Sequence, residues 1–520
     1  MNPTFNLIDE PWIPCIDLEG NRIEPSLSET LVRAHTLRAV YGETPVVTAA
    51  LYRLLLAVLQ RVYMPDSMAA WGALWARKHC ETAPLDAYFA QWRHRFDLFD
   101  PVRPFYQAAD PRVKPRPVAD LILGKTSGAT LFDHYTEDRD FVLTPAEAVR
   151  GLVTAQSFRF GGKKGPKLQF TDGSWARDVI FFVEGDNLFE HLALNLLCYI
   201  PGEKEPIQNF EDDQPAWEME DPYFPQRTLP LGYLDYLTWQ NRRILLSPEI
   251  EEGNIVVRQA TMGPGLKLDS TAMAEEAHNF EPMKLYQESR KQGFVPLRFR
   301  TDRALWRDSV ALLGVHDTPN KTGVRPPLIL MWLKQLVDAG YLDAADQVKR
   351  YRIKALGTAS KAGQDLAYFY RAEHMPLPLA YLENEGLVSD LFDALQNAED
   401  TAGALRQATY TLASTYLASD PEQKASSEDV GKLTAHLGTE SYYWSRLEMP
   451  FHTLVVDLPQ DRDGARIAWQ ETLRRTAWDA LGRAERGVGH GVRAMKAQVR
   501  SRERLAALLA KALPALREEI

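Results

Sequence analysis

Cysteine is nearly absent from this chain. Three in 520 residues (Cys15, Cys80 and Cys198) are odd in number and far apart, which excludes a disulfide framework and a zinc site of paired cysteines. Isolated thiols of this kind serve as small core hydrophobes and fit a reducing compartment. The N-terminus, MNPTFNLIDEPW, lacks the basic and apolar blocks of a secretory signal. Long apolar runs are scarce too. The most apolar, Val46 to Tyr63, carries Arg53, Gln60 and Arg61 and reads as a buried amphipathic helix rather than a membrane span. The expectation is a soluble, cytoplasmic protein with no membrane partner.

Excess positive charge is missing as well. Sixty Lys and Arg against 70 Asp and Glu leave a net charge of −10, so the chain is not coated with DNA-binding charge, although a local basic strip is still allowed. A complete phosphate loop is also lacking. Gly124, Lys125 and Thr126 spell its end, but Ala119 stands where the earlier glycine is required. No clustered His, Asp and Glu set suggests a metal centre, and His316-Asp317 is a lone pair without further ligands at a recognisable spacing. No cofactor is implied.

What is present is more than one core's worth of chain, because single cores stop growing at about 250–300 residues. Residues 1–372 alternate strand-like and helix-like pieces. Glu19-Gly20-Asn21 turns a hairpin, Ser26 and Glu29 form a capping box, Pro45 opens a helix and Val179 to Glu184 is a β-branched and aromatic strand. A helix is expected over Asn187 to Tyr199, a long ordered loop over Pro201 to Pro230, and a turn at Gly263-Pro264-Gly265. The aromatics between Tyr88 and Tyr106 read as core more than as a base-stacking surface. From 380 to 520 leucines and alanines recur at helical spacing, in separate segments about Leu387 to Ala398 and Leu405 to Leu417 and three more beyond. The fold class is therefore α+β, a large mixed N-terminal domain followed by a C-terminal four-helix bundle.

Two glycine-bearing loops stand out. Gly161, Gly162, Lys163, Lys164, Gly165, Pro166 and Lys167 combine a close-approach backbone with cations that attract phosphate. An ordinary solvated turn has the same composition. In Lys349 to Ala367 a basic run (Arg350, Arg352, Lys354) leads into Gly357, Lys361, Gly363 and Gln364. A guarded edge strand is the alternative there. A basic side over Arg483 to Arg504 fits a solvated helix face, a phosphate backbone or an acidic partner.

Taken in order, FNLIDEPWIP, PVRPFYQ, LILGKTSGAT, SFRFGGKKGP, VEGDNLFEHLALNLL, QPAW at 214–217 and ALGTASKAGQDLA resemble the large subunit of the type I-E CRISPR Cascade surveillance complex, the CasA family, over essentially the whole length. The resemblance implies a non-catalytic DNA-recognition subunit. Its implied partners are the guide-RNA-containing Cascade subunits (backbone, small and 5′-handle-binding), double-stranded target DNA and a separate helicase-nuclease. It would inspect the protospacer-adjacent motif through the minor groove and help to start unwinding. Carried over by position, the glycine loop falls on Gly161 and Gly162, with Lys163 and Lys164 as backbone contacts. The minor-groove lysine falls on Lys267, with Lys284 as the alternative. The wedge falls on Gln364 beside Gly363, with Lys361 as a further backbone contact, and the loop contacting the guide handle and neighbouring subunits on His134, Tyr135 and Thr136. Two other readings remain open: a purely structural scaffold of a ribonucleoprotein, and a nuclease with an unrecognised site.

Overall fold

A computed structural model describes residues 3–123, 141–164, 168–199, 207, 211–275, 280–315, 323–345, 350–359, 369–418 and 425–517. The chain forms two compact units. The first comprises Met1–Arg303 and Val315–His374, the second Ala304–Gly314 and Met375–Ile520.

The first unit is built around the helix Pro45–Tyr63. Thr44 caps it by accepting from the Val47 amide, and Pro45 fits the first turn because its missing N–H would have no partner there. Its polar residues are tethers. The buried Arg53 donates to the Leu237 carbonyl at 2.7 Å, Gln60 to the Leu197 carbonyl at 3.0 Å, and Arg61 forms a two-bonded pair with Glu218. The Ser26–Glu29 capping box forms as expected. The aromatics are core: Phe96 and Phe105 stack on each other at 5.3 Å and both pack on Trp217.

The helix Pro45–Tyr63 packs on the strands Leu37–Val40 and Arg352–Ala359, and among the described residues the strands form five small sheets. In one, the fully buried strand Val179–Glu184 pairs antiparallel with Arg352–Ala359, which also neighbours Phe369–Pro376. Arg352–Ala359 is thus a central strand, not an edge. Lys354 does not guard it from solvent but lies buried, 3.0 Å from Glu184. The helix expected through Tyr199 ends at Leu194. Asn195 stops it by turning its amide onto the neighbouring strand, accepting from the Val183 amide and donating to the Val183 carbonyl. Arg242–Glu251 and Asn254–Pro264 form a long hairpin, so Gly263 and Pro264 end a strand instead of making a turn. Gly265 is small for another reason: a Cβ there would sit 2.7 Å from the Arg242 amide. Residues 211–230 form neither helix nor strand.

The second unit is a helical bundle. Long helices Glu385–Leu417, Arg462–Val488 and Val492–Ala512 pack together, and shorter helices from Ser427 to Asp457 complete it. The two segments expected before Leu417 are one 33-residue helix. Only Gly403 interrupts the sequence between them, and a single glycine in a helix costs about 1 kcal/mol, too little to break it. The insertion 304–314 belongs here because Trp306 packs 4.6 Å from Phe451 and 5.9 Å from Trp444. The α+β class, with its mixed region and helical bundle, is as the sequence indicates.

Candidate nucleic-acid interface

The helix Pro145–Phe158 delivers the glycine loop. Thr144 and Glu147 form a capping box at its start, and it ends on Arg159 in extended backbone. Gly162–Lys164 and Leu168–Phe170 then pair antiparallel as a small hairpin, with Gly162 opposite Phe170 and Lys164 opposite Leu168. The two adjacent glycines do different work. A Cβ on Gly161 would lie 2.8 Å from the Phe170 carbonyl oxygen and 2.9 Å from the Asp172 amide, so its smallness serves the hairpin itself. Gly162 is exposed, and a Cβ there would meet nothing within 4 Å. Its Cα face is the open one.

Beneath the hairpin lies a polar anchor. Arg242, almost wholly buried, donates to the carbonyls of Thr171 at 2.8 Å, Phe160 at 3.1 Å and Asn241 at 3.1 Å. Asn241 donates to Thr171 Oγ1 at 3.1 Å and to the Asp172 and Leu266 carbonyls at 3.3 Å. Asp172 accepts from the Gly161 amide at 2.6 Å and from Arg177 Nε at 2.6 Å. Burial pushes the Arg242 guanidinium down to about 9, with the nearby charge of Arg159 adding to the effect, and burial lowers Arg159 as well. Cations stacked under a hairpin raise the positive potential where an anionic partner would arrive.

The same anchor holds the segment carrying Lys267. The Gly265 amide donates to the Asn241 carbonyl and the Leu266 amide to the Gln240 carbonyl, and Lys267 follows them exposed to solvent. Gly161, Gly162 and Lys267 therefore share one support, and Asn241 is the residue common to both loops. The strand that launches the Gln364 segment is tied nearby: Thr358 donates to the Ala176 carbonyl at 3.0 Å, next to Arg177. Gln364, Gly363, Lys361, His134, Tyr135 and Thr136 lie outside the described residues, and Lys163 and Lys164 are placed by backbone alone, in the first strand of the hairpin.

Lys284 has no part in this surface. It is buried, with its Nζ 2.6 Å from the Ser174 carbonyl and 2.9 Å from Asp178. Burial opposes its charge, but Asp178 and Glu281 keep its pKa well above the ordinary lysine value. A lysine held as a core cation cannot enter a groove, so the alternative placement fails on geometry. Sequence reasoning overlooked Asn241, Arg242 and Asp172. The signal for Asn241 and Arg242 is the polar run Gln240-Asn241-Arg242-Arg243 directly after the aromatic-rich stretch Tyr233 to Trp239; Asp172 has none. Among the described residues no three His, Cys, Asp or Glu side chains group so as to hold a metal ion.

A mixed α/β unit carrying a glycine hairpin, joined to a helical bundle, is an architecture shared with known proteins. The family model for CRISPR-associated protein Cse1 matches residues 6–480. The chain belongs to the CRISPR-associated Cse1 family. It is similar to CRISPR-associated protein CasA/Cse1 of Thermus thermophilus (31% identity, covering 97% of each chain). It is also similar to the crystal structure of Cse1 from Acidimicrobium ferrooxidans (27% identity, 99% of each chain, TM-score 0.82). A chain from a CRISPR RNA-guided surveillance complex shares the fold at 22% identity, with 97% of this chain and 99% of that one covered and a TM-score of 0.69.

Proposed function

We propose that the chain is the non-catalytic large subunit of a type I-E CRISPR Cascade complex. In this reading it inspects the protospacer-adjacent motif of duplex DNA through the minor groove, helps to start unwinding and R-loop formation, and recruits a separate helicase-nuclease. Base pairing with the guide then reads the rest of the target. Support comes from the family itself and from the surveillance complex that shares its fold.

The observation that carries the recognition step is the pair of unlike glycines above one anchor. A minor groove only about 6 Å wide admits backbone more readily than bulky side chains. Gly162 offers an open Cα face on a hairpin that Gly161, Asp172 and Arg242 hold in place. Lys267 supplies a charged donor from the same support. With a net charge of −10, the free protein neutralises few phosphates and binds DNA weakly. Selectivity emerges when the other subunits hold the duplex beside these loops.

The test is duplex binding by the complex with and without this subunit, on targets that differ only in the base pairs flanking the protospacer. Discrimination among flanks should require the subunit and fade in Gly162→Asp and Lys267→Ala. Full discrimination in both variants would remove these residues from the site. An indifferent complex would make the subunit a scaffold.

A further inference from the structure

Beside the glycine hairpin lies a cleft of about 430 Å³. One wall carries Arg112, Lys114 and Arg116, Leu168 of the hairpin lines it as well, and Ala260 and Met262 of the long strand Asn254–Pro264 complete it. Three cations and one carboxylate, Asp120, line it, a local reversal of sign on an acidic chain.

The cations are held ready. Arg112 forms a two-bonded pair with Asp110, at 2.8 and 2.6 Å. The Asp110 side chain is 1% exposed and that of Arg112 56%, so the pair orients the guanidinium and leaves its outer edge in solvent. Arg112 in turn holds the Asp110 carboxyl below its usual range. Arg116, its side chain about half exposed, lines the cleft and is paired at 2.6 Å with the mostly buried Asp120, as Arg112 is with Asp110. Lys114 is exposed and forms no ion pair with a described residue. Pro111, Pro115 and Pro117 restrict the backbone between the cations, so little freedom is lost on binding. Arg116–Pro117 pairs with Gln259 and Ala260, on the strand that runs on to Gly265, Leu266 and Lys267.

We propose that this cleft carries the sugar-phosphate backbone of the duplex whose groove the hairpin reads. The inference rests on that reading of the hairpin. Cations without base-edge geometry position a duplex and add affinity, but they carry no sequence information. The hairpin and the cleft thus divide the labour: one selects, the other grips.

The division is measurable in the assembled complex. Target affinity is determined between about 50 and 200 mM salt for the wild type, for Lys114→Gln with Arg116→Gln, and for Gly162→Asp. Each lost phosphate contact lowers the log–log salt slope by about 0.9, so the double variant should lose about twelvefold less affinity than the wild type over that range. It should weaken all flanking sequences alike and keep its discrimination, and Lys114→Gln alone, which breaks no ion pair with a described residue, should lower the slope by about half as much and melt like the wild type. An unchanged slope in the double variant, with discrimination lost in Gly162→Asp, overturns the cleft and leaves the hairpin reading intact. If neither set of substitutions changes DNA binding, both readings fall. Release of the subunit from the complex, without a change in salt slope, would give the cleft to a protein or guide-RNA partner and also overturn the proposal.

Discussion

Adjacent glycines in one loop are usually read as a unit, yet Gly161 and Gly162 separate cleanly. Gly161→Ala would force a methyl against the Phe170 carbonyl and the Asp172 amide, both main chain. Relief requires a backbone shift, and overpacking of this kind costs about 1–3 kcal/mol. Thermal unfolding should register that loss for Gly161→Ala and no loss for Gly162→Ala; equal melting of the two would contradict the geometry. A second residue contributes to the acid response. His191 is buried, stacked on Tyr52 at 4.1 Å, and burial pushes it down to about 3 despite the attraction of Glu184. The unfolded chain takes up its proton near 6.5 and the folded chain does not. Its stabilising effect is therefore complete above pH 6.5 and declines as pH falls toward 3, by about 1.4 kcal/mol per unit. Glu184, whose pKa is held down by a His374 hydrogen bond and Lys354 against the effect of burial, loses its own contribution only below its ordinary value of 4.5. Between pH 6.5 and 5 His191 is opposed by Asp213, whose carboxyl burial raises to about 6, so that the folded chain takes up this proton first and gains stability as pH falls. In His191→Phe, which keeps an aromatic ring for the stacking, the urea midpoint should hold or rise as pH falls across that window relative to the wild type, and a slope equal to the wild type's would exclude His191 as a contributor.

At the level of elements, Asn241 is the joint. Its side chain reaches Thr171 and Asp172 below the hairpin and Leu266 beside Lys267. Asn241→Ala should raise amide exchange at 161–172 and 265–268 together, while the helix Pro145–Phe158 stays protected. Loosening of one segment alone would mean that the loops are anchored separately. None of this joint is visible in sequence, and the reason is distance along the chain. Arg242 meets Gln156 across 86 positions and Asn241 meets Thr171 across 70. Local signals fared better. The Ser26–Glu29 box, Pro45 and the strand Val179–Glu184 all follow from near-neighbour physics and all stand where the sequence puts them. The errors arise where a distant partner decides. Asn195 ends a helix by bonding a strand, Lys354 is neutralised by Glu184 instead of facing water, and Lys284 is sunk among Ser174, Asp178 and Glu281.

Across the whole molecule, the order of short motifs revealed more than any one of them. FNLIDEPWIP, SFRFGGKKGP and ALGTASKAGQDLA carry little information singly, but in sequence they indicated the family that the comparisons then showed. The glycines were legible as places of close approach. Which of the two is open, and what holds the other, required the fold. The division into units also departs from simple chain order, because residues 304–314 belong with the helices from 375 onward. That placement bears on how the protein is made. Trp306 leaves the ribosome 138 residues before Trp444, one of the rings that will cover it. At about 5–20 residues per second, this apolar insertion waits roughly 7–28 s for its cover. Synthesis of this chain therefore includes an interval in which a holdase chaperone has something to grip, and codon choice between 306 and 444 sets its length.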